Sequence, residues 1–246
     1  MEKYDKPDLI VASSVVTHLE NPQNFAKNIK KFLKINGILI IEIEYLQNFL
    51  KKFEFERFYF DRPFYYSATS IDKLFKSVKM KLYDIEKINV HGGSLRCYIK
   101  NSPDCKITKR CKKILNEEKQ KLNLKAFNIF NKAIVKYSRL LKNNLIKYRK
   151  SNINVIGYGA PARVSTITNF AKINSNLIKY IIDDSPLKQN RFTPGMHIKI
   201  IPREKNLNNK IKIIVVFAYE YFRDIKKLLK NKNIIFFKPI PFIKLR

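Results

Sequence analysis

Apolar residues in this chain fall into short continuous runs, which read as buried strands, and into recurrences three or four apart, which read as helices. Asp8–Ala12 is a buried-type strand. Asn21-Pro22 then caps a helix with Phe25, Ile29, Phe32 and Leu33 on one face, stopped at Asn36-Gly37, and Ile38–Ile43 is a continuous apolar strand. Together they predict a β-α-β piece of a parallel sheet. Such a piece needs further strands, so an exposed edge at Asp8–Ala12 is an expected association or aggregation site. Residues 45–68 are rich in aromatics without a clean period, a segment that either lines a pocket or plugs a core. Ser70–Lys79 reads as a helix with Ile71, Leu74, Phe75 and Val78 inward. Lys81–Ile88 and Leu95–Ile99 read as strands joined by the turn His91-Gly92-Gly93-Ser94.

From Ile107 to Lys150 there is no Gly or Pro, and Leu, Ile and Phe recur at helical spacing among many Lys residues. One or two long amphipathic helices are expected there, acting as a connector; a solvated helix is the plain reading and a basic nucleic-acid helix the alternative. Beyond it the pattern gives a strand at Ile153–Ile156, a helix from about Ala160, strands at Leu177–Ile182 and Ile211–Phe217, a helix at Tyr221–Leu229 and a strand at Ile234–Phe237. Pro186 to Pro202 reads as loop. Strands alternating with helices predict a second parallel α/β domain, and the chain divides on this reading into 1–104, 105–150 and 151–246.

The second domain opens on Gly157-Tyr158-Gly159-Ala160-Pro161-Ala162. Two glycines permit positive φ and a close ligand, and Pro161 suits the first turn of a helix whose free N–H groups attract anions. This is part of a dinucleotide fingerprint only, because Ala162 holds the third glycine position and no acidic residue is read as ending a second strand where a ribose needs it. Asp183 and Asp184 follow the next apolar run. An ordinary βα turn without a ligand reads equally well.

Length and composition narrow the classes. A chain of 246 residues has room for one large or two modest domains. No 18-residue apolar run is present, and Met1 to Pro7 lacks the apolar stretch of a signal peptide, so a soluble cytoplasmic protein is expected. The three cysteines have no C-x-x-C spacing and the three histidines lie far apart, which gives no support to a metal site. The formal charge of +30 raises nucleic acid or an anionic surface as a partner. The excess is mostly Lys, spread from end to end among Asn and Ile as a low-GC coding bias gives it. General solvated charge is therefore the preferred reading, and an anionic small substrate would profit from the same field.

Four stretches, taken in order, carry a resemblance. They are Val11-Ala12-Ser13-Ser14-Val15-Val16-Thr17-His18, His91-Gly92-Gly93-Ser94-Leu95-Arg96, Gly157 to Ala162, and Asp183 to Gln189 with Thr193-Pro194-Gly195. The chain resembles the SAM-dependent sugar C-methyltransferases, which methylate a ring carbon of nucleotide-linked keto-deoxysugars. That family joins a cysteine-rich zinc domain, a SAM-binding Rossmann domain and a C-terminal Rossmann-like domain. The resemblance covers only the later part. It implies a partial SAM domain, a helical connector and a C-terminal Rossmann-like domain, with the zinc domain and the SAM glycine turn lacking.

The family's chemistry needs a base beside a ketone, a donor for the enolate oxygen and a methyl sulfonium in line with the carbon. Its catalytic His matches His18, and its Asn pair on the SAM side matches Ser13 and Ser14. Its Tyr-His-Glu-His run matches Tyr59-Phe60-Asp61-Arg62, so Tyr59 is kept, Asp61 replaces Glu and both His positions are lost. Arg62 cannot act as a base; it is expected to stabilise an enolate or to lower the pKa of Tyr59. The resemblance further assigns the nucleotide sugar to His91, Gly92, Gly93, Ser94, Arg96, Gly157, Tyr158, Gly159, Ala160, Pro161, Asp183, Asp184 and Lys188. Without the SAM turn the free chain is expected to be inactive unless a separate polypeptide, or a longer reading frame, supplies the missing half. The alternatives are a non-catalytic nucleotide-sugar binding or assembly protein and a basic nucleic-acid binder; the latter has the charge but none of the motif spacings.

Overall fold

The computed structural model describes residues 5–203, 212–229 and 234–246. Residues 1–4, part of the stretch read for a leader, and Ile211, where a strand was expected to start, lie outside the described residues. The chain forms two compact units: residues 1–52 with 60–129, and residues 53–59 with 130–246.

The first unit opens with strand β1 (Leu9–Ser13) and helix α1 (Pro22–Phe32). Asn21 caps α1 by accepting the Asn24 N–H at 2.8 Å, and Pro22 takes the first turn, where its missing N–H costs nothing. β2 (Ile38–Glu44) follows, then α2 (Leu46–Lys52), α3 (Ala68–Lys76), β3 (Lys81–Ile88), β4 (Ser94–Lys100), α4 (Lys109–Lys121) and α5 (Leu124–Lys150), along which the chain enters the second unit. The expected helices between Ile107 and Lys150 are thus two, the second 27 residues long.

The sheet order is β1-β2-β4-β3. β1 and β2 are parallel, as the β-α-β pattern predicts, whereas β4 runs antiparallel to both β2 and β3, so the sheet is mixed. Alternation in β2 turns Leu39, Ile41 and Ile43 into a core shared with Ile71 and Phe75 of α3 and with Ile85, Cys97 and Ile99. Ile40, Glu42 and Glu44 point the other way and are half-buried. On α1 the buried positions are Ala26, Ile29 and the following Leu33. Phe32, expected on that face, is 39% exposed, because it lies roughly a quarter turn round the helix from them. β1 is an edge strand with Leu9 52% and Val11 61% exposed.

The second unit holds β5 (Val155–Tyr158), α6 (Arg163–Ala171), β6 (Ile181–Ile182), β7 (Ile200–Ile201), β8 (Ile213–Val216), α7 (Phe222–Leu228), β9 (Ile235–Lys238) and β10 (Ile243–Leu245). Its sheet order is β7-β6-β5-β8-β9-β10, parallel except for β10. Counted within the unit this is 3-2-1-4-5-6, the order of dinucleotide-binding sheets, with its switch point between β5 and β8. β5 and β8 are buried at every residue, as continuous apolar strands of a parallel sheet should be. Leu177–Ile182 pairs as a strand only at its last two residues, and the stretch read as loop contributes β7. The reading that no acidic residue ends a second strand is corrected: β6 stops at Ile182, and Asp183 follows directly.

Candidate functional site

The candidate residues form two groups, one in each unit. In the first, they collect where β1 and β2 end, the carboxyl ends at which parallel α/β sheets take ligands. Ser13 closes β1, and Ser14 turns the chain with φ of 56° while its N–H bonds the Glu42 carbonyl at 3.1 Å. The turn leads into a short 3-10 segment ending at His18. There His18 Nδ1 lies 2.9 Å from the Asp61 carbonyl oxygen and 3.6 Å from its carboxylate. With Nδ1 protonated and donating to that carbonyl, the Nε2 lone pair of His18 is available as a base.

Glu42 and Glu44 are the two polar interruptions of an otherwise apolar strand, and each holds an arginine. Arg62 Nη1 donates to Glu44 Oε1 at 2.6 Å, and Glu44 Oε2 is buried with no hydrogen-bond partner. Glu42 accepts the Ser13 hydroxyl and Arg96 Nε, both at 2.7 Å, and those two bonds hold its carboxyl below the usual range. Sequence reasoning found both arginines and missed both glutamates, whose signal was a charged residue at a strand position that alternation turns away from the core. The hairpin His91-Gly92-Gly93 has positive φ at all three residues. A Cβ on Gly93 would lie 2.4 Å from Asn48 Nδ2, so that position requires glycine, and Asn48 and Lys52 of α2 donate to the Gly93 and Gly92 carbonyls.

In the second unit the structure brings the glycine turn and the acidic pair together. Ala160 N–H donates to Asp183 Oδ2 at 2.6 Å, and Asp183 Oδ1 accepts the Ser185 N–H at 2.9 Å. A carboxylate of the chain thus holds the N–H that the sequence offers to an anionic ligand. Lys188 Nζ lies 3.7 Å from Asp183 Oδ2. Tyr158 donates its hydroxyl to Asp184 at 2.6 Å, and burial, then that bond, push the phenol up in pKa. Gly159 has φ of 81°, and a Cβ there would meet Ala218 Cβ at 2.5 Å. Pro161 and Ala162 precede α6 proper, their carbonyls accepting the N–H groups of Val164 and Ser165. Tyr59 belongs to this unit, whereas His18, Asp61 and Arg62 belong to the first.

Residues 89–241, more than half of the chain, match the family model described as the C-methyltransferase C-terminal domain. The chain belongs to this C-methyltransferase family. A curated relative, C-methyltransferase NovU of Streptomyces niveus, is 24% identical over 243 residues, covering 95% of this chain and 57% of its own length. This C-methyltransferase-family chain therefore spans a little over half the length of that relative. Two solved structures overlap it weakly. One is titled "StiE O-MT residues 961-1257" (12% identity, 48% of this chain and 53% of that one, TM-score 0.31). The other is titled "Conversion of a Disulfide Bond into a Thioacetal Group during Echinomycin Biosynthesis" (10% identity, 41% and 51%, TM-score 0.30). At these scores the likeness says nothing further about the family member described here. Among its described residues no helix is long and apolar enough to cross a membrane, and no group of His, Cys, Asp and Glu is placed to hold a metal ion.

Proposed function

We propose that this chain carries the proton-transfer part of a SAM-dependent C-methyltransferase acting on a nucleotide-linked keto-deoxysugar. What supports the reading is the gathering of His18, Asp61, Arg62 and Glu44 at the carboxyl ends of β1 and β2 in a C-methyltransferase-family chain. His18, oriented through Nδ1 by Asp61, takes the proton next to the ketone on Nε2. Arg62, whose charge Glu44 balances, faces the developing enolate oxygen as a fixed cation. The +30 charge of the chain favours an anionic nucleotide sugar.

The two residues assigned to SAM do not by themselves fit the group. The Ser13 hydroxyl is engaged by Glu42, and the Ser14 N–H by the Glu42 carbonyl. Accordingly the chain alone is proposed to bind SAM weakly and to need further sequence, in the same or a second polypeptide, for methyl transfer. Bound SAM would supply the electrophilic methyl group, and no step here is assigned to it.

Proton chemistry can be measured without SAM. Incubated in deuterium oxide with a nucleotide-linked keto-deoxysugar, the chain is expected to exchange the proton next to the ketone, and His18→Gln to abolish the exchange. Exchange by His18→Gln at the rate of the unaltered protein would refute the assignment. Tyr59→Phe run beside it reports whether that phenol takes part: an unchanged rate rules it out as the base.

A further inference from the structure

In the second unit, a short strap of the chain's own backbone, Phe53–Tyr59, lies where its sheet would otherwise take a ligand. Arg163 opens the helix after β5, Tyr219 and Glu220 follow β8, and Lys238 ends β9. These are the carboxyl ends of three neighbouring parallel strands, on both sides of the switch point. Each of the four makes a contact with the strap or with a residue that does. Arg57 and Arg163 both donate to Glu220, the latter at 2.7 Å, and Arg57 Nε also holds Glu54 at 2.9 Å. Tyr219 donates its hydroxyl to Glu56 Oε1 at 2.7 Å, and Lys238 lies 3.9 Å from Glu54. The guanidinium of Arg163 stands over the Tyr219 ring, 4.7 Å from its centre. Glu54, Phe55, Glu56 and Arg57 are each 5% exposed or less.

We infer that Arg163, Tyr219 and Glu220 are positioning residues: they bind the strap as the unit's own ligand and so fix where Tyr59, two residues beyond Arg57, presents its phenol. Whether Tyr59 takes part in the chemistry is decided by the Tyr59→Phe exchange measurement of the function proposed above; the holding of the strap does not depend on it. Apolar anchoring alone, Phe55 on Phe170 at 4.9 Å and Phe58 on Phe130 at 6.2 Å, would tolerate sliding. Two buried guanidiniums, Arg57 and Arg163, that share the partly exposed Glu220 carboxylate do not, because any shift of the strap leaves an arginine charge unpaired out of water. Tyr59 also lies within the electrostatic reach of Arg163, the residue that clamps Glu220.

The test uses the full chain with a trifluoromethyl-phenylalanine reporter at position 59, as wild type, Glu220→Gln and Glu220→Asp. The wild type and Glu220→Asp, which keeps the carboxylate, are expected to give one narrow fluorine resonance, and Glu220→Gln a shifted or split one. In unlabelled protein, trypsin is expected to cut after Arg57 about tenfold faster in Glu220→Gln, since cleavage follows the population of the released strap, with other sites unchanged. Where Tyr59→Phe slows the deuterium exchange, Glu220→Gln is expected to slow it too, by up to about a hundredfold as misplaced groups do, with half-saturation by the nucleotide sugar unchanged. An unaltered resonance together with unaltered protection of Arg57 would overturn the inference. Absence of exchange in the wild type would instead count against the proposed function, and the resonance and cleavage would still decide the strap. Should Glu220→Gln fail to fold, Tyr219→Phe removes only the hydroxyl on Glu56 and is expected to shift the same two readouts in the same direction; no shift overturns the inference.

Discussion

Asp183 Oδ2 accepts the backbone N–H of Ala160 at 2.6 Å, so the carboxylate that ends β6 caps the turn that ends β5. The same side chain accepts the Ser185 N–H. Asp183→Ala leaves both N–H groups without their acceptor, and bonds to a charged acceptor contribute about 1.5–3 kcal/mol each at most. A loss of about 2–3 kcal/mol is expected, seen as a lower urea midpoint at unchanged m-value. A midpoint within error of wild type would show that water replaces the carboxylate fully.

A comparable cap joins two helices of the first unit. Glu118 of α4, 1% exposed, accepts the N–H groups of Ala68 and Thr69 at 2.7 and 2.6 Å, which are the first donors of α3. These supplement the Ser67–Ser70 capping box at the same helix end. Glu118→Ala is expected to cost about 2–4 kcal/mol, more than Ser67→Ala at about 1 kcal/mol, because it strips a buried charge from two donors and opens a cavity. Thermal unfolding of the two variants side by side checks the order.

The main elements were legible because their apolar runs are long: β2 as Ile38–Ile43 and β8 within Ile211–Phe217 need no tertiary information to be read as strands. The two-residue strands β6 and β7 were not, since Ile181–Ile182 and Ile200–Ile201 are defined by their partners rather than by a pattern of their own. The candidate site divides in the same way. His18, Arg62 and Arg96 were found through the family's register, but the acceptors that orient them, Glu42, Glu44 and the Asp61 carbonyl, come from pairings no local spacing encodes. The aromatic stretch was read as lining a pocket or plugging a core, and for Phe55, Glu56 and Arg57 it is the second. Nothing in a run of alternating Phe and Glu announces that its charges are buried against Arg163, Tyr219 and Glu220.

Glu56 gives the strap a pH dependence. Its side chain is fully buried, Oε2 has no partner, and burial raises its pKa above the ordinary carboxyl value of 4.5, against the smaller pull of the Tyr219 hydroxyl. A carboxyl whose folded pKa exceeds its unfolded one contributes stability that is fully present below about 4.5 and is lost as pH rises through the folded value. Glu56→Gln cannot ionise and keeps an acceptor for Tyr219. The variant is therefore expected to gain in Tm relative to wild type on going from pH 5 to pH 8. A difference that stays flat over that range would mean that Glu56 is ionised in the fold at both ends of it.

Val11 tests the edge of the first sheet. Sheet edges present unpaired backbone donors and acceptors, and natural edges are protected by charges, above all Lys. β1 instead offers Leu9 and Val11, 52% and 61% exposed, on the strand at the end of the order β1-β2-β4-β3. The two side chains share one face of that strand, so a charge at either one disrupts the same apolar stripe. Val11→Lys removes little buried surface and is expected to change stability by no more than about 0.5 kcal/mol. It should nevertheless reduce self-association, read by sedimentation velocity across a concentration series at constant ionic strength. The matched control is Leu124→Lys, an exposed apolar residue in helix α5 rather than in a strand. If both substitutions suppress association equally, added charge rather than the edge is responsible; if only Val11→Lys does so, pairing along β1 is the route.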